Sequence, residues 1–157
     1  PTALNQCFDL AVKWTDNLGI PRVFPFYWAY QIFVNFGAEQ GKYFDRVFNA
    51  DTNAPKEGDI VVFSWYYNYA GGHVVVATGK GVSTGALSDW FEGFSQNDPK
   101  NSPCILKKYS YDRVLGWLHP KAYNVPILSK EQQMLKIINT NISDTEFRNK
   151  TRQIYGV

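Results

Sequence analysis

Reactive side chains are scarce in this sequence. Its 157 residues hold two cysteines, Cys7 and Cys104, and two histidines, His73 and His119, too few and too far apart for a cysteine–histidine zinc cluster or a disulfide framework. No apolar run reaches the about 18 residues of a membrane helix, so a membrane span is excluded. Charge of one sign is lacking too: 16 Lys and Arg stand against 14 Asp and Glu, a net +2. The basic residues are scattered rather than clustered, which argues against a nucleic-acid binder. The opening Pro1-Thr2-Ala3 shows no basic n-region followed by an apolar h-region, so no signal peptide is read there.

What is present is a chain long enough to bury a core without staples. Aromatic residues make up 17% of it, mostly Tyr and Phe, a content that suits a mixed domain with a ring-lined groove. The stretch Asn5-Gln6-Cys7-Phe8-Asp9-Leu10-Ala11-Val12-Lys13-Trp14 reads as an amphipathic helix with Asn5 as N-cap. Cys7 then falls near the second helical position, where unpaired N–H groups and the helix dipole favour an anion. A thiol there is expected to ionise more easily than a free one, as a nucleophilic cysteine requires. Two plainer readings stay open: a small buried hydrophobe, or a disulfide with Cys104.

In chain order, Gly19 and Pro21 stop the first helix, and a second is expected over Tyr27 to Asn35. Tyr43 to Phe48 reads equally as a helical turn or a strand. From Gly58 the period changes. Ile60 to Trp65 reads as a buried strand, Tyr66 to Gly72 as a loop and His73 to Gly79 as its antiparallel return. Ser83 to Pro99 is polar and its strand limits are not placed. Ile105 to Tyr109 and Val114 to Leu118 read as further strands. Helices followed by antiparallel strands make an α+β pattern. Beyond Leu128, Ser129 to Asn141 and Ser143 to Ile154 read as a helical hairpin, so the expected division is a domain over 1–124 and a helical C-terminal extension or linker over 125–157.

Cysteine-dependent acyl transfer needs a thiolate, an imidazole and a third polar group that fixes the imidazole's tautomer. The chain offers Cys7 at a helix start, His73 opening a central strand beside two glycines, and Ser95-Gln96-Asn97 some twenty residues on.

In these elements the sequence resembles the CHAP domain, the cysteine, histidine-dependent amidohydrolase/peptidase of bacteriophage endolysins, tail-associated lysins and bacterial wall hydrolases, within the papain-like NlpC/P60 superfamily. Five segments match in the family's order: Asn5 to Ala11, Pro55 to Phe63 with Gly58-Asp59-Ile60-Val61-Val62, Gly72 to Val76, Gln96-Asn97, and Val114 to Pro120. The resemblance implies a papain-like fold, with N-terminal helices packed on a central antiparallel sheet. It implies a peptidoglycan amidase or endopeptidase with Cys7 as nucleophile, His73 as general base and acid, and Asn97 accepting a hydrogen bond from the His73 ring.

The family shows an acidic residue two positions before that Asn; here Ser95 stands there. Glu92, Asp89 and Asp98 are the carboxylates that a shifted alignment would bring to the place. Gln6 is expected to help hold the oxyanion. Trp65 and Tyr66, with Tyr67, Tyr69 and Trp90, are expected to line a substrate groove. His119 is read as a non-catalytic basic residue at the last strand's end. No metal ligand or cofactor is assigned; some relatives bind calcium just before the cysteine helix, and here Asp9 is the one acidic residue near that site, so calcium is left open. The expected partner is the bacterial wall, whose polyanions the mild positive charge would not repel. The C-terminal helices are read as leading to a separate wall-binding domain or virion protein. The expected setting is phage-encoded, in the host cytoplasm until release or on the virion. Two rivals are carried: a wall-binding or virion structural module without turnover, and a cysteine peptidase acting on soluble substrates.

Overall fold

The computed structural model describes residues 6–50, 52–64 and 70–121. Helix α1 spans Cys7–Asn17 with Gln6 as its N-cap residue, which puts Cys7 one position nearer the helix end than the sequence suggests. Asn5, the expected cap, lies outside the described residues. The Asp9 carboxylate accepts the Gln6 N–H at 3.1 Å, satisfying a donor at the helix entrance with an anion at the positive end of the dipole. At the other end Gly19 takes φ +69°, its N–H reaching Asp16 O at 3.1 Å and that of Ile20 reaching Thr15 O at 3.0 Å. These paired bonds form the closure that a glycine just past a helix permits.

The second helix is much shorter than expected. Helix α2 covers only Gln31–Val34, because the Gln31 side-chain oxygen accepts the N–H groups of Tyr27 and Trp28 at 3.1 and 2.8 Å and holds those residues in a turn. A short α3, Ala38–Gly41, follows. The ambiguous stretch after it is a strand, β1, Phe44–Phe48.

Five more strands follow: β2 Glu57–Phe63, β3 His73–Val82, β4 Trp90–Ser95, β5 Ile105–Ser110 and β6 Val114–Pro120. They form one sheet in the order β1-β6-β2-β3-β4-β5, with every neighbouring pair antiparallel. Strand β3 therefore lies between β2 and β4, near the sheet's centre. The runs Ile60 to Phe63 and Val74 to Ala77 are buried throughout, which is why they read as continuous apolar stretches rather than alternating ones. Ile60, Val62, Val74 and Leu118 join the helices' Ala11, Ile32 and Phe33 in one core cluster. Val61, Phe63, Val75, Phe91, Tyr109 and Trp117 form a second.

Helix α1 packs on β3, and the Trp14 indole N–H donates to Gly58 O at 2.8 Å, tying the helix to the start of β2. The chain divides after Tyr123 into two units. The second, Asn124–Val157, lies outside the described residues, and with it the expected helical hairpin.

Candidate active site

Two segments far apart in sequence meet at the start of β3. Because α1 lies on that strand, its first residue comes against the strand's second: the backbone N–H of Val74 acts on the Cys7 thiol, as do those of Phe8 and Cys7 at the helix start. Cys7 and Cys104 are both free thiols, so the disulfide reading is overturned. Cys7 is half-buried and packs against the first core cluster. The expectation of an easily ionised thiol is also corrected. Burial pushes the Cys7 thiol above its ordinary value, outweighing the N–H groups of Val74, Phe8 and Cys7, while the Asp9 charge adds to the rise. A helix N-terminus favours the thiolate only as far as the surroundings leave it solvated.

His73 is the first residue of β3 and is 1% exposed. Its ring lies beside Phe63 and Tyr109, with centroid separations of 5.9 and 6.2 Å. Phe63 and Tyr109 belong to the second cluster, so the thiol packs on one cluster and the imidazole lies beside the other. The ring is held by Ser95: His73 Nε2 and Ser95 Oγ are 2.9 Å apart, and Ser95 is fully buried. β4 brings it there, pairing Ser95 with Val75.

Asn97 lies two residues on. Its φ is +63°, a left-handed conformation that asparagine tolerates. Its side-chain oxygen accepts the Asn101 N–H at 2.6 Å, and its amide nitrogen donates to Gln6 Oε1 at 3.2 Å. Asn97 therefore holds the residue before Cys7. Of the neighbouring carboxylates, Asp89 accepts the N–H groups of Thr84, Gly85 and Ala86, which lowers its pKa. Glu92 binds the Thr78 hydroxyl and Lys80. Asp98 binds Lys107 and Tyr109.

Trp65 and Tyr66, with Tyr67 and Tyr69, lie outside the described residues. Trp90 is half-buried under the Lys108 ammonium, 3.9 Å from its ring centroid. His119 lies at the far end of β2 from His73, its Nδ1 2.6 Å from Asp59 Oδ1. Asp59 is buried, which raises its pKa, with the His119 hydrogen bond opposing. Among the described residues no group of three or more His, Cys, Asp and Glu is placed to hold a metal ion, and no helix is long and apolar enough to cross a membrane.

Burial lowers the His73 pKa from 6.5 to about 4, with the Asp98 charge raising it and the Lys107 charge lowering it. A neutral buried imidazole couples folding to pH. As pH falls from 6.5 towards 4 the unfolded chain takes up a proton that the folded ring refuses, so stability is complete above that window and declines through it. The loss by pH 4 is about 3 kcal/mol. Urea unfolding checks it: His73→Gln should lose about 3 kcal/mol less than the parent chain between pH 7 and pH 4. Equal losses would place the folded-state titration elsewhere.

The arrangement defines a class: an α+β domain with a thiol at the head of a helix and a buried, hydroxyl-held imidazole at the head of the strand beneath it. No family model matches the chain and no curated protein matches it. Among solved structures, the chain is similar to that described as the crystal structure of a wild type endolysin LysIME-EF1. The identity is 19%, the TM-score 0.41, and the match covers 76% of this chain and 66% of that one, just under two thirds of its length.

Proposed function

We propose that the chain is a cysteine-dependent peptidoglycan hydrolase, cutting the muramoyl–alanine amide or an amide of the stem peptide or cross-bridge. The observation that supports this reading is the packing of α1 on β3, which brings Cys7, the helix's first residue, to the backbone of Val74, the residue that follows the buried His73. The wall as substrate follows from the five segments that resemble the CHAP family.

In the proposed reaction the neutral His73 ring is held at Nε2 by Ser95 Oγ and takes the thiol proton at Nδ1. Burial disfavours both thiolate and imidazolium, so the proton moves as the sulfur attacks the amide carbon rather than before. The carbonyl oxygen becomes an anion that faces N–H groups at the helix start and the Gln6 side-chain amide. Asn97 occupies Gln6 Oε1, which leaves the NH₂ end as the donor. The imidazolium then protonates the leaving nitrogen, the C–N bond breaks and a thioester remains. Water gives a proton to Nδ1, attacks the thioester carbon and releases the acid with the free thiol.

Digestion of purified walls by the full chain tests the reading. Soluble fragments with new amine termini are expected, and walls left intact would remove it. Mass spectrometry then assigns the bond: free N-terminal alanine with intact cross-bridges means an amidase, new bridge termini an endopeptidase. The neutral Ser95 at the imidazole favours a second reading, a wall-binding or virion module without turnover. That reading predicts wall binding with no cleared band on a wall-embedded gel.

A further inference from the structure

Beside the Tyr109 ring that flanks the imidazole lies an ion pair, its carboxylate buried and its lysine half-buried, that the reaction above does not use. Asp98 is 6% exposed. Its Oδ2 accepts from Lys107 Nζ at 2.8 Å and from the Tyr109 hydroxyl at 2.9 Å. The Tyr109 ring is the one that flanks His73, its centroid 6.2 Å away, and Lys107 Nζ stands 5.3 Å from that same ring's centroid. The topology explains the grouping. β5 pairs with β4 so that Tyr109 faces Phe91 and Lys107 faces Gly93, while Asp98 follows Ser95 by three residues in the turn leaving β4.

Burying the Asp98 carboxylate is costly, and apolar residues often fill such space at no loss of stability. The position of this pair supplies a reason for it. An imidazolium formed during catalysis needs a negative charge nearby, and Ser95, the group on Nε2, is uncharged. Among the described residues, the charges that act on the ring are the Asp98 carboxylate and the Lys107 ammonium of β5; Ser95 of β4, Tyr109 of β5 and Phe63 of β2, which also meet it, are uncharged. Asp98 is the anion of the set.

We propose that Asp98, clamped by Lys107 and Tyr109, is a positioning residue that supplies the counter-charge for the His73 imidazolium, with Lys107 setting how much of that charge the ring feels. The proposal rests on the reading of His73 as the acid–base group. The opposed effects of the two charges on the ring agree with it.

The test is a nuclear magnetic resonance titration of the full chain labelled in its histidine rings, with His119→Gln to assign the two signals. Lys107→Met is expected to raise the His73 midpoint by about one pH unit, a typical shift for a removed neighbouring charge. Lys107→Gln, which keeps a hydrogen-bond donor, should give the same rise and stands in if the methionine variant does not fold. Adding Asp98→Asn to either should bring the midpoint back to the parent value or below.

In wall hydrolysis, the acid limb of kcat/KM should move with the midpoint, and Asp98→Asn should lower kcat with little change in KM. A midpoint unmoved by loss of the lysine charge, or a double variant that stays where the single one went, overturns the proposal, whereas a merely structural pair would lower stability and leave the titration in place. Because the titration needs no substrate, intact walls with moved midpoints would end the hydrolase reading and leave the charge coupling between the pair and the ring standing. Wall cleavage with unmoved midpoints would end this one alone.

Discussion

Serine in place of Cys7 is expected to lower wall hydrolysis by about 10⁴-fold or more, the scale on which nucleophile replacements act in hydrolases, with the thermal unfolding midpoint nearly unchanged. The size follows from the two groups as folded. An alcohol is a far weaker acid than a thiol, and His73, held at about 4 by burial, is a weak base. A serine hydrolase relies on an imidazole of ordinary basicity to activate its hydroxyl; this ring lacks it. The larger, more polarisable sulfur attacks while still losing its proton, and oxygen does not have that route here. Circular dichroism and wall binding should match the parent chain, so that the loss is read as chemistry. Hydrolysis retained in Cys7→Ser or Cys7→Ala would end the account of the nucleophile.

The second large effect is expected at Gly72. Its φ is +73°, a region that costs a residue with a side chain about 1–2 kcal/mol. A Cβ there would stand 2.5 Å from the Phe63 carbonyl oxygen and 2.9 Å from Tyr30 Cβ. The first of these is backbone of the paired strand and cannot step aside, which adds about 1–3 kcal/mol of overpacking. Gly72→Ala should therefore unfold about 10 °C lower. It should also lose about 100-fold in hydrolysis, because the next residue is His73 and a shift of about 1 Å in a catalytic group has that scale of consequence. Gly19→Ala is the control: its φ is +69° with nothing within 4 Å of the added atom, so it bears the backbone strain without the collision. Equal melting of the two variants would show that the close approach at Gly72 does not matter.

The strands were legible where burial on both faces wrote itself as β-branched runs, as in Ile60 to Phe63 and Val74 to Val76. β4 was not, because Trp90 to Ser95 includes Glu92, Gly93 and Ser95, residues that favour no strand and owe their conformation to pairing with β3 and β5. The second helix was overestimated because the turn that shortens it is made by one Gln31 side chain. At the site, Cys7 and His73 stood out by their neighbours in sequence. Ser95 was visible as a position, but its hold on Nε2 depends on the β3–β4 register. The direction of the Cys7 shift was missed altogether, since a dipole argument sees only the helix and burial depends on everything packed over it.

The thiol and the imidazole belong to segments separated by two helices and two strands, and those segments meet only when α1 lies down on β3. A chain still emerging from the ribosome, or one cut between those segments, carries both groups in water with ordinary acidities and no partner. Any chemistry that needs both segments therefore waits on the closing of the sheet, a consequence of topology alone.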